Sequence, residues 1–121
     1  MTTALRAAYG KTVKSNCDAS GLMNLLNKVA KAGLLEKPLR VRVKDAGPDA
    51  HGYCDSDFDE DGTACGHDIV ISCMNDGLLA HELAHALTAE TLTYDDLKVL
   101  NPHGSVFQRA LTIIIETFEE E

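Results

Sequence analysis

Apolar and polar positions along the chain change their period several times, and each change marks an element. Leu22, Leu25, Leu26, Val29 and Ala30 recur at three-and-four spacing, the period of a helix with one buried face. Asp18 or Ser20 is available as its N-cap, and Gly33 as its stop. Pro38 opens a strict apolar–polar alternation over Leu39–Val43, which predicts a half-buried strand. Residues 46–49 (Ala-Gly-Pro-Asp) predict a turn, and residues 51–55 a second strand that Gly52 interrupts. An acidic loop follows, then a third strand over residues 68–73. Residues 76–89 return to a helical period with Asp76 as cap, and Pro102-His-Gly breaks the chain. Residues 106–118 make a last helix with Phe107, Leu111, Ile114 and Ile115 facing inward. An N-terminal helix, three strands and two further helices make an α+β domain. With no repeat or linker, residues 1–121 form one domain with a core over about 18–118.

Composition narrows the function classes. Hydrophobic residues are 45% and charged residues 25% of the 121, ordinary globular values that exclude disorder and fibrous repeats. No apolar run approaches about 18 residues, so no membrane span is expected. The N-terminus has no apolar stretch of signal-peptide length, which places the chain in the cytoplasm, free or nucleoid-associated. The four cysteines are then thiols rather than bridges. The net charge of −8 is uneven: residues 1–44 hold nine of the eleven Lys/Arg against two acids, and residues 45–121 hold the other two against seventeen. A basic first third suits DNA or an acidic surface, although Lys28, Lys31 and Lys37 also fit the solvated side of the first helix.

The chemistry concentrates in His81-Glu-Leu-Ala-His85. Two histidines four apart on a helix project from one face and can grip one metal ion together. Glu82 lies beside the first and can reach a water on that ion without being a ligand. Zinc brings the pKa of such a water toward about 7, and a carboxylate can then take its proton as it attacks a carbonyl. The flanking Leu78, Leu79, Leu83, Ala84 and Leu87 are apolar enough to bury the helix.

A catalytic zinc also needs a third protein ligand and an open position. The longer pattern that continues with glycine and histidine fails here, because Thr88 and Thr91 stand at those places. Glu90 shares the helix and faces away, while Glu116 sits late, among exposed acids. Asp95 and Asp96 are candidates that also read as helix-capping residues. His103 stands between Pro102, which fixes its approach, and Gly104, which permits a tight turn back toward the first two histidines. The residues alone leave the choice open.

His81-Glu-Leu-Ala-His-Ala-Leu87 followed by Pro102-His-Gly-Ser-Val-Phe107 resembles the SprT-like metalloproteases, which include the Spartan proteases of DNA–protein crosslink repair. That family carries the same helix motif and, further along, His-Gly-x-x-aromatic, whose histidine is the third zinc ligand. The resemblance implies a zincin-like minimal domain in which His81, His85 and His103 bind one zinc ion. It further implies Glu82 as the catalytic general base and Phe107 as the aromatic residue packing behind the loop. The function it implies is hydrolysis of peptide bonds in a polypeptide substrate, including DNA-associated or crosslinked proteins.

Other readings stand beside it. Asp57, Asp59 and Asp61, with Gly62 and Asp68, follow the spacing of a calcium loop and suggest weak Ca2+ binding, although the flanks read as strands rather than paired helices. Cys54, Cys65, Cys73 and His67 offer a second zinc set, although Cys54 and Cys73 read more simply as buried thiols on strands. Residues 51–55 are expected at the sheet edge, where an extended substrate pairs by main-chain hydrogen bonds. Tyr94 is available as an oxyanion stabiliser. The alternative function is a noncatalytic, metal-stabilised module that binds DNA through its basic third or a partner through its acidic half.

Overall fold

A computed structural model describes residues 14–47 and 50–120. Its elements in chain order are α1 (Ala19–Ala32), β1 (Leu39–Val43), β2 (Gly52–Phe58), β3 (Ala64–Ile71), α2 (Asp76–Thr91), α3 (Tyr94–Val99) and α4 (Ser105–Glu119). The architecture is α+β, with a three-stranded sheet in the order β1-β3-β2. β1 lies parallel to β3, and β2 lies antiparallel to it, which leaves β2 at one edge. In β1 burial follows the sequence alternation only over Leu39–Val41, since Arg42 is half-buried and Val43 exposed, whereas central β3 buries Ile69, Val70 and Ile71 completely.

Local chemistry sets the boundaries. The Asp18 carboxylate accepts from the Gly21 N–H at 2.7 Å, and Gly33 closes α1 in the left-handed region at φ 69°. Leu22 and Val29 are buried from the expected face of α1, whereas Ala30 is exposed. Asn75, not Asp76, caps α2, its side chain accepting from the Leu78 N–H at 3.1 Å. Asp76 falls in the first turn, where its carboxylate accepts from the Asn16 amide.

Three boundaries differ from expectation. β2 and β3 run on to Phe58 and start at Ala64, because they are two arms of one hairpin. Its turn is tied by Asp59, whose Oδ1 accepts from the N–H groups of Asp61 and Thr63, with Gly62 at φ 79°. Between α2 and α4 stands the short helix α3, held by a capping box between Thr93 and Asp96. Of the expected turn over 46–49, Pro48 and Asp49 lie outside the described residues.

α2 is the structural centre. Leu78, Leu79, Ala80, Leu83, Ala84, Ala86 and Ala89 bury different sides of it, because it packs against the β2–β3 face of the sheet and against α4. α4 contributes Phe107, Leu111, Ile114 and Ile115, all buried, and also packs on α1. A polar chain anchors the far end of α2. The His67 imidazole, with its side chain fully buried, joins Ser56 Oγ at 2.7 Å and Glu90 Oε2 at 2.6 Å, while Glu90 Oε1 accepts from the Glu36 N–H. Removing one partner of such a buried pair strands the other. His67→Ala is therefore expected to lower unfolding free energy by about 3 kcal/mol, read from urea denaturation.

Candidate metal centre

Three imidazoles converge at the surface end of this core. His81 and His85 stand one turn apart on α2, with ring centroids 4.9 Å apart. His103 reaches them from the loop before α4, its ring centroid 5.1 Å from that of His81 and 5.0 Å from that of His85. One nitrogen from each ring lies within 4.8 Å of the other two. The loop is held for this purpose by Asn101, whose side-chain oxygen accepts from the His103 N–H at 2.9 Å and whose carbonyl accepts from the Gly104 N–H at 2.9 Å. Glycine at 104 serves closeness rather than an unusual backbone angle, since a Cβ there would stand a tight 3.1 Å from the Asn101 carbonyl.

Phe107, 1% exposed, forms the floor beneath all three rings. Its centroid lies 5.0 Å from that of His81, 4.5 Å from His85 and 4.9 Å from His103. An apolar floor of this kind fixes ring positions without competing for their nitrogens.

The surroundings keep the ligating nitrogens unprotonated. Burial, reinforced by the other histidines, lowers the pKa of His81 and of His85 to about 4, so both are neutral and able to ligate at pH 7. The Nε2 atoms of His81 and His103 stand 3.3 Å apart. That is the nitrogen–nitrogen edge of a tetrahedron with Zn–N bonds of about 2.0–2.1 Å. The three imidazoles could together hold a metal ion, and such a donor set suits a borderline transition-metal cation better than a hard oxygen-seeking one.

Glu82 projects from α2 beneath the start of β2. It is 5% exposed, and burial raises its carboxyl to a pKa of about 7. Gly52 makes this approach feasible: a Cβ there would lie 2.8 Å from the Val70 carbonyl and 3.2 Å from Glu82 Oε2. The glycine that weakens the strand pattern in sequence thus lets β2 pass close to the carboxylate.

The other candidate residues are employed elsewhere. Asp96 belongs to the α3 capping box, and exposed Asp95 faces Lys98 at 3.7 Å. Glu90 belongs to His67, and Glu116 is exposed on α4. Tyr94 packs its ring 5.2 Å from that of Phe58, and its N–H donates to Gly62.

The expected calcium loop is corrected by the hairpin. Asp57 lies within β2, Asp59 spends an oxygen on its own turn, and Asp68 pairs with Arg42 at 2.6 Å. Among the described residues the histidine trio is the group of three or more ligating side chains that converges. Cys54, Cys65, Cys73 and His67 accordingly do not form a second centre: Cys65 is exposed, and burial pushes the Cys54 thiol up to about 12. Cys54 is half-buried on β2, while half-buried Cys73 lies just beyond β3. Of the basic first third, Arg6 and Lys11 lie outside the described residues, Lys28 donates to the Phe118 and Glu120 carbonyls, and Arg42 is paired.

The sequence motif points to His81 and His85, and the resemblance to His103, but neither points to the cleft beside them. A cavity of about 500 Å³ opens against His85, walled by β2, the end of α2, the α3 segment and the loop leading into α4. Its lining comes from separate stretches of chain, and no local pattern announces it. No family model, curated protein or solved structure matches this chain. Among the described residues no helix is long and apolar enough to cross a membrane.

Proposed function

We propose that the chain is a zinc-dependent metallopeptidase of SprT-like type, with a zincin-like domain acting on extended polypeptide. The observation that carries this reading is the convergence of His81, His85 and His103 within 4.8 Å of one another, with the buried carboxylate of Glu82 on the same helix. A structural zinc site is normally closed by four protein ligands, whereas three with a neighbouring acid leave a position for water.

Zinc bound there supplies Lewis-acid polarisation of water and of the scissile carbonyl. Glu82 takes the proton of the attacking water and later delivers it to the leaving amine, so the carboxylate is regenerated. Its low-polarity surroundings favour holding that proton between the two steps. The free edge of β2 offers main-chain donors and acceptors to an extended segment, which selects unfolded or flexible chain over folded protein. Phe107 keeps the three imidazoles in place while substrate exchanges. The resemblance in motif extends the substrate reading to DNA-associated or crosslinked proteins.

The reading is tested by metal analysis joined to hydrolysis of casein, with and without DNA. Wild type is expected to hold about one zinc per chain and to cleave. His81→Ala, His85→Ala and His103→Ala are each expected to lose more than about 100-fold in zinc affinity, beyond what outer hydrogen-bonding partners contribute. Asp95→Ala and Asp96→Ala should keep zinc and lose at most about 1 kcal/mol of stability. Zinc bound with full affinity by His103→Ala would overturn the three-histidine site. Zinc binding without hydrolysis of any substrate would instead favour the noncatalytic module.

A further inference from the structure

A ligand-sized cleft lies against His85. Its walls include Phe58 on β2, Ala89 and Leu92 at the end of α2, and Leu97 and Leu100 of the α3 segment. Its volume of about 500 Å³ falls among ligand-sized cavities of about 300–1,000 Å³ and far exceeds a packing defect. His85 is shared between this cavity and the histidine trio, so the two are continuous. Cys54, Ser56 and Phe58 alternate along β2 and all line it, while Asp55 and Asp57 take the opposite face of the strand. A chain paired to the free edge of β2 would send alternate side chains in this same direction. At the mouth Leu100 is 46% exposed, with Val99 beside it at 81%. Apolar surface presented so openly next to a cleft gains from being covered.

We propose that this cavity recognises one bulky apolar side chain, aromatic or long aliphatic, of an extended peptide laid along β2 with its neighbouring peptide bond at the histidine trio. The inference rests on the peptidase reading for its substrate and adds the specificity. It excludes small or acidic residues at that position, because the walls offer them neither apolar contact of matching size nor a positive charge. Ser56 is the polar group on the wall from β2, and its hydroxyl is held by His67 at 2.7 Å.

The chain contains no tryptophan, so a tryptophan in a peptide can be followed by fluorescence without background. Glu82→Gln protein is titrated, with and without zinc, with eight-residue extended peptides that differ only in a central Trp, Leu, Gly or Asp. The non-fluorescent peptides are measured by displacement of the Trp peptide. The Trp and Leu peptides should bind at least 10-fold more tightly than the Gly and Asp peptides, with a blue shift of the Trp emission. Leu100→Asp, at the exposed mouth, and Ala89→Phe, which fills the cavity, should each weaken the Trp peptide about 10-fold. Equal binding of all four peptides would overturn the proposal, as would unchanged binding by both variants when their melting temperatures match that of the parent. A dimer that Leu100→Asp dissociates, with no peptide bound, would assign the cavity to contacts between copies and also overturn it. Selective binding by a protein that hydrolyses nothing would uphold the cavity and reject the peptidase reading.

Discussion

Glu82→Gln is expected to retain zinc and to lose hydrolysis by about 10²–10⁴-fold, the usual contribution of a positioned general base. Glutamine keeps the shape of the side chain that packs beneath Gly52, so the 5%-exposed position is neither emptied nor overfilled. It cannot take a proton from water. The expected signature is a fall in kcat with zinc content and melting temperature near those of wild type. A variant as active as wild type would show that the proton goes elsewhere, and the role given to Glu82 would be abandoned. Loss of zinc from the same variant would instead make Glu82 part of the metal-holding set.

The second large effect is thermodynamic. Phe107→Ala is expected to cost about 3–5 kcal/mol, because a ring that is 1% exposed leaves a cavity between α2 and α4. The same cavity lies directly under the three imidazoles, each within 5.0 Å of the ring centre. Zinc affinity should fall with stability although no ligand is touched. Phe107→Leu, which restores most of the volume, should recover the larger part of both. Urea denaturation and zinc titration of the two variants give the comparison. A Phe107→Ala protein with wild-type stability would mean that the ring is not the floor of this site.

These effects trace back to what the chain displays locally and what it hides. His81, Glu82 and His85 are legible because a helix turns spacing into direction, so two histidines four apart must share a face. His103 is legible in part: Pro102 and Gly104 announce a turn, but only the packing of α4 against α2 aims the side chain. α3 escapes a reading by periodicity because it buries no residue and so carries no apolar stripe, and its Thr93–Asp96 capping box is the signal that finds it. The partnership of His67 with Glu90 escapes for another reason. It joins residues 23 apart in sequence across a sheet and a helix, and neither neighbourhood marks the other. The acidic hairpin misleads in the opposite direction, since aspartates that tie a turn and pair with Arg42 share a spacing with those that bind calcium.

The way α2 is fastened bears on how cooperatively the domain opens. Its first turn is capped by Asn75, whose amide donates to the Lys14 carbonyl, and its last turn is held through Glu90 to Glu36 and His67. The helix between them touches the sheet and α4. Segments from both ends of the described chain are thus docked on α2 in the state in which its two histidines meet the third. No opening confined to a loop frees this helix, so its central amides should exchange with solvent only when the whole domain unfolds. A cation held by the three histidines would then be linked to cooperative folding, and zinc in excess of its dissociation constant is expected to slow that exchange along all of α2 at once.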